Sequence, residues 1–357
     1  MSALERNDRV RHIDLLNLTN SQLEKVLAAM QQPFPALTDL SIWREDEDET
    51  YPVRVVSESF LGGSAPRLRT LDLDHIPFPG LPKLLLSTTD LVNLKISKIP
   101  HSVYISPEAM VRCLSMLTRL ERLWIGFKSP LSRPVWETRH RHPLTRSALP
   151  ALTYLQFEGV SEYLEDLVAR IDVPLLNRLR IHFFHQLIFD TPQLAKLIHT
   201  NFRPSVEASL FFYDYDVRVS LTSRTIMLEI KCRPSDWQLS SLTQVCGSFF
   251  PEAFIPAVER LNIHEYLDRP WQDDIEDRQW LELLHPFTSV KYLHLNRGFA
   301  PRFIPAIQEL AGEVLPSLQN LFVQDLDSSG PVQGAIEKFV AARQLAGRPI
   351  AVSPWEI

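Results

Sequence analysis

The chain has 357 residues, of which 45% are apolar, and its 37 basic and 43 acidic side chains leave a formal charge of −6. This is core enough for two or three ordinary domains or one elongated array, and the near balance of charge argues against nucleic acid as the default partner. The opening MSALERNDRVRH is charged where a secretory signal needs an apolar stretch, and no run of about 18 uncharged apolar residues follows. The expected location is therefore intracellular, cytoplasmic or nuclear, with no membrane partner.

In chain order, one phrase keeps returning. Apolar residues at its first, fourth and sixth positions read Val10, Ile13, Leu15; Leu37, Leu40, Ile42; Leu68, Leu71, Leu73; Leu91, Leu94, Ile96; Leu120, Leu123, Ile125; Leu152, Leu155, Phe157; and Leu176, Leu179, Ile181. After a gap come Val258, Leu261, Ile263; Val290, Leu293, Leu295; and Leu318, Leu321, Val323. Successive starts lie 23 to 32 residues apart on either side of the gap. Two residues before the first apolar position stands Pro35, Pro66, Pro150, Pro174, Pro256 or Pro316, and elsewhere Thr89, Thr118 or Thr288. Proline has a fixed φ and no amide hydrogen, so it ends the preceding segment and turns the chain into a strand.

Between the phrases, NSQLEKVLAAM, PEAMVRCLSML, TPQLAKLIHT, DRQWLELLHPF and RFIPAIQELAG repeat apolar residues at helical spacing. Asn20 and the run Asp190-Thr191-Pro192 supply helix-start residues. A strand, a helix and a return, copied many times, predict an α/β leucine-rich repeat solenoid. Its form would be a curved right-handed horseshoe with a parallel inner sheet, outer helices and irregular repeats of 23–32 residues. The whole chain, 1–357, is expected to be a single array, with clear repeats over 10–200 and 255–326. Over 201–254 the phrase fades; degenerate repeats are expected, with an inserted hairpin as the alternative, and with Val206, Ala208, Leu210 and Ile226, Leu228, Ile230 facing inward. Residues 330–357 read as a capping helix followed by a short strand at Ile350 and Val352. Cys113, Cys232 and Cys246 are an odd number in apolar segments, expected as buried free thiols.

No glycine-rich phosphate loop, nucleophile elbow or zinc-helix motif occurs, so the expectation is a binding protein without cofactor, metal or catalytic residues. His182 and His185 lie three apart in a strand and point to opposite faces. The candidate binding residues are instead outward strand positions and loops beside them. Trp43, Trp124 and Phe322 are large aromatics on a solvated face, which either pack locally or meet a partner, and Arg180, His182 and His294 join them there. The loop over 126–147, with Trp136, Arg139 and Arg141, is either a mobile insertion or a site for an acidic peptide or phosphate, and HEYLDRPW presents Tyr266, Arg269 and Trp271, the side chains that anchor interfaces. The acidic run 45–49 is either a solvated loop or a docking segment for a basic partner.

The phrases PALTDLSI, PRLRTLDLDHIPFPG and PSLQNLFV, and above all LPKLLLSTTDLVNLKI, resemble the leucine-rich repeat region of F-box proteins of mushroom-forming fungi. That resemblance implies a substrate receptor whose repeats hold a target protein while an F-box docks on a Skp-type adaptor of a cullin ubiquitin ligase. No F-box counterpart stands ahead of RVRHIDLL, which is already a repeat, so the docking module is expected outside this stretch or lost. The expected partner is a protein, with no nucleic acid. A free-standing scaffold, inhibitor or sensor is the alternative.

Overall fold

The computed structural model describes residues 7–45, 56–100, 104–128, 146–184, 190–221, 225–232, 235–250, 252–266, 277–296, 298–309, 313–324 and 331–355. The chain forms two compact units, Met1–Leu179 and Arg180–Ile357. Both are mixed α/β, with strands in mostly parallel, open sheets. Among the described residues no helix is long and apolar enough to cross a membrane.

In the first unit the phrases become β1 (His12–Leu18), β2 (Asp39–Arg44), β3 (Thr70–Asp74), β4 (Asn93–Ile99), β5 (Arg122–Phe127) and β7 (Tyr154–Gly159), in that order and all parallel. Two-residue strands β6 (Ser147–Ala148) and β8 (Ile171–Asp172) pair separately. The register reproduces the sequence alignment: Ile13, Leu40, Leu71, Leu94, Leu123 and Leu155 stand opposite one another, strand after strand. From β2 onward these fourth-position leucines are 0–1% exposed. Each fully buried leucine contributes about 2 kcal/mol, and none can be buried without the neighbouring copy. Helices α1 (Asn20–Ala29), α2 (Leu81–Leu85), α3 (Pro107–Leu114) and α4 (Ser161–Ala169) complete the core with Leu23, Leu84, Met110 and Leu164.

The recurring proline has a defined place. In eight of the ten phrases the amide of the first apolar residue donates to the carbonyl three residues earlier, as in Leu37 to Phe34, Leu68 to Ala65, Leu152 to Leu149 and Leu318 to Leu315, at 3.0–3.2 Å. Proline thus occupies the second residue of a β-turn, where its fixed φ fits. The acceptor residue is a further buried position of the phrase, occupied by Phe34, Ala65, Thr88, Leu117, Leu149, Val173, Ile255 and Leu315, all 2% exposed or less. One helix start differs from expectation. Thr19, not Asn20, caps α1, in a reciprocal pair with Gln22, because only Thr19 precedes the first turn with extended φ/ψ. Thr191 stands at the N-cap of α5 (Pro192–Asn201) without a side-chain cap bond, while Pro192 takes the expected first-turn place.

The second unit has strand order β9-β12-β11-β10-β13-β14-β15-β16. These strands are β9 (Arg178–Phe184), β10 (Glu207–Tyr213), β11 (Asp216–Leu221), β12 (Ile226–Lys231), β13 (Arg260–Tyr266), β14 (Tyr292–Leu295), β15 (Asn320–Gln324) and β16 (Ala351–Trp355). Its helices are α5, α6 (Ser235–Gln244), α7 (Asp277–Leu284), α8 (Ala300–Glu309) and α9 (Pro331–Leu345), with α6 to α9 each packed on the next. The degenerate repeats expected over 201–254 give way to a meander: β11 is antiparallel to both β10 and β12, while β10 runs parallel to β13. Short connections between β10, β11 and β12 leave no room for the crossover that parallel pairing needs. Val206 is corrected as well. It is 66% exposed, and the buried first position is Ser205, whose hydroxyl bonds the Glu207 main chain; Ala208 and Leu210 face inward as read. Ile226, Leu228 and Ile230 are 0–1% exposed. The helix and strand expected at the end are α9 and β16. All three cysteines are buried free thiols, and burial pushes Cys232 and Cys246 up to about 12.

Candidate functional site

Alternation on a strand sends every second side chain to the face opposite the leucines, and the two units use that face differently. In the first, Ser41, Asp72, Lys95, Trp124 and Gln156 line up across β2, β3, β4, β5 and β7. The Lys95 ammonium lies 3.0 Å from Asp72 Oδ2 and 4.2 and 4.6 Å from the ring centroids of Trp43 and Trp124. Of the two readings of these aromatics, local packing holds for Trp43 and Trp124, whose rings already face a cation supplied by the chain itself. Burial outweighs the neighbouring ammonium and leaves the Asp72 pKa raised. One position along, burial again opposes ionisation of Asp74, yet hydrogen bonds from His75 and Ser97, both 2.6 Å, and the Lys98 charge hold its pKa low. The charges of this face are met within it.

In the second unit the corresponding face carries rings that stack on rings. Phe211 lies 4.8 Å from His264 with planes 11° apart, Tyr213 lies 5.4 Å from Tyr266 at 15°, and His294 lies 4.5 Å from Phe322 at 7°. Each pair is opposed across neighbouring strands. Strand spacing of about 4.8 Å matches ring stacking, so the rings stand on edge, face to face, with their rims toward solvent. Tyr266 is 54% exposed. Trp355 reaches across from β16 and packs on His294 and His264 at 5.3 and 5.5 Å, tilted by 64° and 55°.

Beside the ladder lies a charged patch. Arg218 sits 5.0 Å from the Tyr213 ring and donates through Nε and Nη2 to Glu229 Oε2, at 2.9 and 2.6 Å. His182 Nδ1 is 3.4 Å from the other Glu229 oxygen. Burial, then Glu229, raises Asp216 to about 6. Burial lowers the pKa of both His264 and His294, so both imidazoles are neutral at pH 7 and behave as flat, weakly polar rings.

Tyr266, His294, Phe322, Arg180 and His182, all read from the sequence, lie in this unit's outward set. The structure joins the first three to Phe211, Tyr213, His264 and Trp355. His264 follows the last residue of the triplet Val258, Leu261, Ile263, an outward place set by the repeat phrase; the other three lie where the phrase gives no guide, Phe211 and Tyr213 in the meander and Trp355 beyond the last clear repeat. Arg180 is half-buried with its Nε lacking an acceptor among the described residues. Asn262 and Asn296 are structural: Asn262 bonds Glu207 and Ser209, and Asn296 bonds the main chain of Glu265 and Phe299. Trp136, Arg139, Arg141, Arg269 and Trp271 lie outside the described residues, as do 46–49 of the acidic run and His185. Among the described residues no three His, Cys, Asp or Glu side chains converge as a metal site requires. A comparison with known protein families and with curated proteins finds no match for this chain.

Proposed function

We propose that this chain is a leucine-rich-repeat-type recognition module, not an enzyme, and that it binds a polypeptide through the outward face of its second unit. The observation that carries the reading is the on-edge ladder of Phe211, Tyr213, His264, Tyr266, His294 and Phe322, part exposed beside the Arg218–Glu229 pair. Aromatic anchors next to an arginine are the side chains that dominate binding energy at protein interfaces. The aligned apolar triplets support the repeat class, since each copy buries its leucines against the next. The resemblance to fungal F-box receptors extends the proposal to substrate recognition for a cullin ubiquitin ligase; a free-standing scaffold is the alternative.

The test is capture from fungal lysate with cross-linking, using the wild-type chain, a Tyr266→Ala/Phe322→Ala variant and an Arg112→Ala control on α3. Circular dichroism checks folding. Proteins held by the wild type and the control and lost from the double variant are the expected result; equal recovery on all three baits refutes the choice of face. Skp and cullin among the captured proteins separate the ligase receptor from the free-standing scaffold.

A further inference from the structure

The strand β16 is held in an unusual way. It is the outermost strand of its sheet among the described residues, paired in parallel with β15 from Asn320↔Ala351 to Gln324↔Trp355. Leu321 and Val323 of β15 are 0% and 2% exposed, whereas Ala351 and Pro354 are exposed and Val352, Ser353 and Trp355 only half-buried. Pro354 has no amide to give, which suits an edge strand and weakens it. The connection from α9 is exposed throughout 346–349, and Gly347 sits there at φ +71. Besides its pairing with β15, one aromatic side chain holds the strand. Trp355 crosses to β14 and β13 and packs its indole, steeply inclined, against His294 and His264.

We propose that β16 is an internal occupant of the recognition face, and that a partner's extended segment carrying an aromatic residue takes its place. The inference rests on reading the second unit's face as the binding surface, and it names the ligand class. When β16 leaves, β15 presents a row of unpaired main-chain donors and acceptors, the template for strand addition. The vacated ring site beside His264 and His294 selects a flat apolar side chain. Register sets the motif: an apolar residue at the place of Val352, facing inward with Leu321, then an aromatic three residues later on the outward face. A helical partner has no means of pairing with β15, which is why the occupant is an extended one.

The probe is a fluorescein-labelled, acetylated and amidated peptide of residues 350–355, titrated by anisotropy into full-length chains. Trp355→Ala weakens the internal competitor, so this variant is expected to bind the peptide at least about tenfold more tightly than the wild type. The same peptide with alanine for tryptophan, or the Trp355→Ala chain further changed by His264→Ala and His294→Ala, is expected to lose at least about tenfold. In the wild type, hydrogen exchange at Val352, Ser353 and Trp355 should run at least about tenfold faster than in β14.

Equal peptide affinity for wild type and Trp355→Ala, or β16 protected as well as β14, overturns the proposal. A concentration-dependent dimer that Trp355→Ala abolishes identifies a second copy as the occupant and overturns the partner. If lysate capture depends on Tyr266 and Phe322 while the peptide fails, the recognition face stands and displacement of β16 falls.

Discussion

Lys95→Met tests whether the first unit's outward face is closed by its own side chains. Methionine keeps the apolar stem and removes the charge. The ammonium lies over two indoles at 4.2 and 4.6 Å, each contact contributing about 1 kcal/mol at this half-buried site. The 3.0 Å pair with Asp72, with side chains 21% and 16% exposed, adds about 1 kcal/mol. The expected loss at pH 7 is therefore about 3 kcal/mol. Part of it is the cost of leaving Asp72 ionised and unpaired. Because burial already holds the folded Asp72 pKa above its unfolded value, that cost disappears as pH falls through the folded pKa, which moves higher still without Lys95. At pH 4 the loss should shrink to about 2 kcal/mol, and Asp72→Asn/Lys95→Met should show a coupling of about 1 kcal/mol. Urea unfolding followed by tryptophan emission, fitted as two transitions for two compact units, reads these values. A shift below about 0.5 kcal/mol at pH 7 would refute the clamp and return Trp43 and Trp124 to the list of free binding residues.

Other consequences can be checked with the same transitions. Arg343 of α9 is 0% exposed and donates to the Val314 and Leu318 carbonyls at 3.3 and 3.2 Å; Arg343→Met leaves both acceptors unmet and should cost the second unit about 3 kcal/mol. A Cβ at Gly159 would stand 2.7 Å from the Phe157 ring and 3.1 Å from Phe127, so Gly159→Ala should cost the first unit about 2 kcal/mol by overpacking. The second unit should respond to acid through opposed groups. His264 and His294, with folded pKa values below 6.5, lose stability as pH falls below that value, while Asp216, raised to about 6, regains stability as pH falls through 6. Asp216→Asn removes the second effect. It should stabilise the unit at pH 8 by about 1 kcal/mol after allowance for solvent screening, and urea titrations from pH 8 to 4 should show a steeper acid loss than in the wild type.

Much of the fold was legible because the leucine spacing is a direct imprint of strand geometry: the fourth and sixth residues of all ten apolar triplets lie on strands, and the strand pairing sets fourth positions opposite one another. The turn position before each proline or threonine was not legible, since Ala65, Thr88 and Phe34 share burial and not residue type. Strand order in the meander escaped because pattern reports which face a residue takes, never which strand lies beside it. Ser205 in an inward place, satisfied by its own main-chain bonds, shifted the apparent register by one and made Val206 look buried. The candidate site was legible only in fragments. Tyr266, His294 and Phe322 were read from three separate repeats, but their ring partners lie in the meander and at β16, where the repeat phrase gives no register.

The two outward faces differ for a reason rooted in that break of pattern. In the first unit each strand is a copy of the last, and the parallel register brings Asp72, Lys95 and Trp124 side by side, so charges and rings on the face find complements within it. In the second, the reversed strand β11 sets Arg218 between Phe211 and Glu229. Arginine there has its carboxylate partner and a ring to lie against, and the aromatic rows continue outward to Tyr266, stacked on Tyr213, and to Phe322, stacked on His294. A repeat buries its leucines whatever the outward residues are, so those residues are free to specialise. The ladder forms where the copying stops: at the meander on one side and at β16, the least buried strand of the unit, on the other.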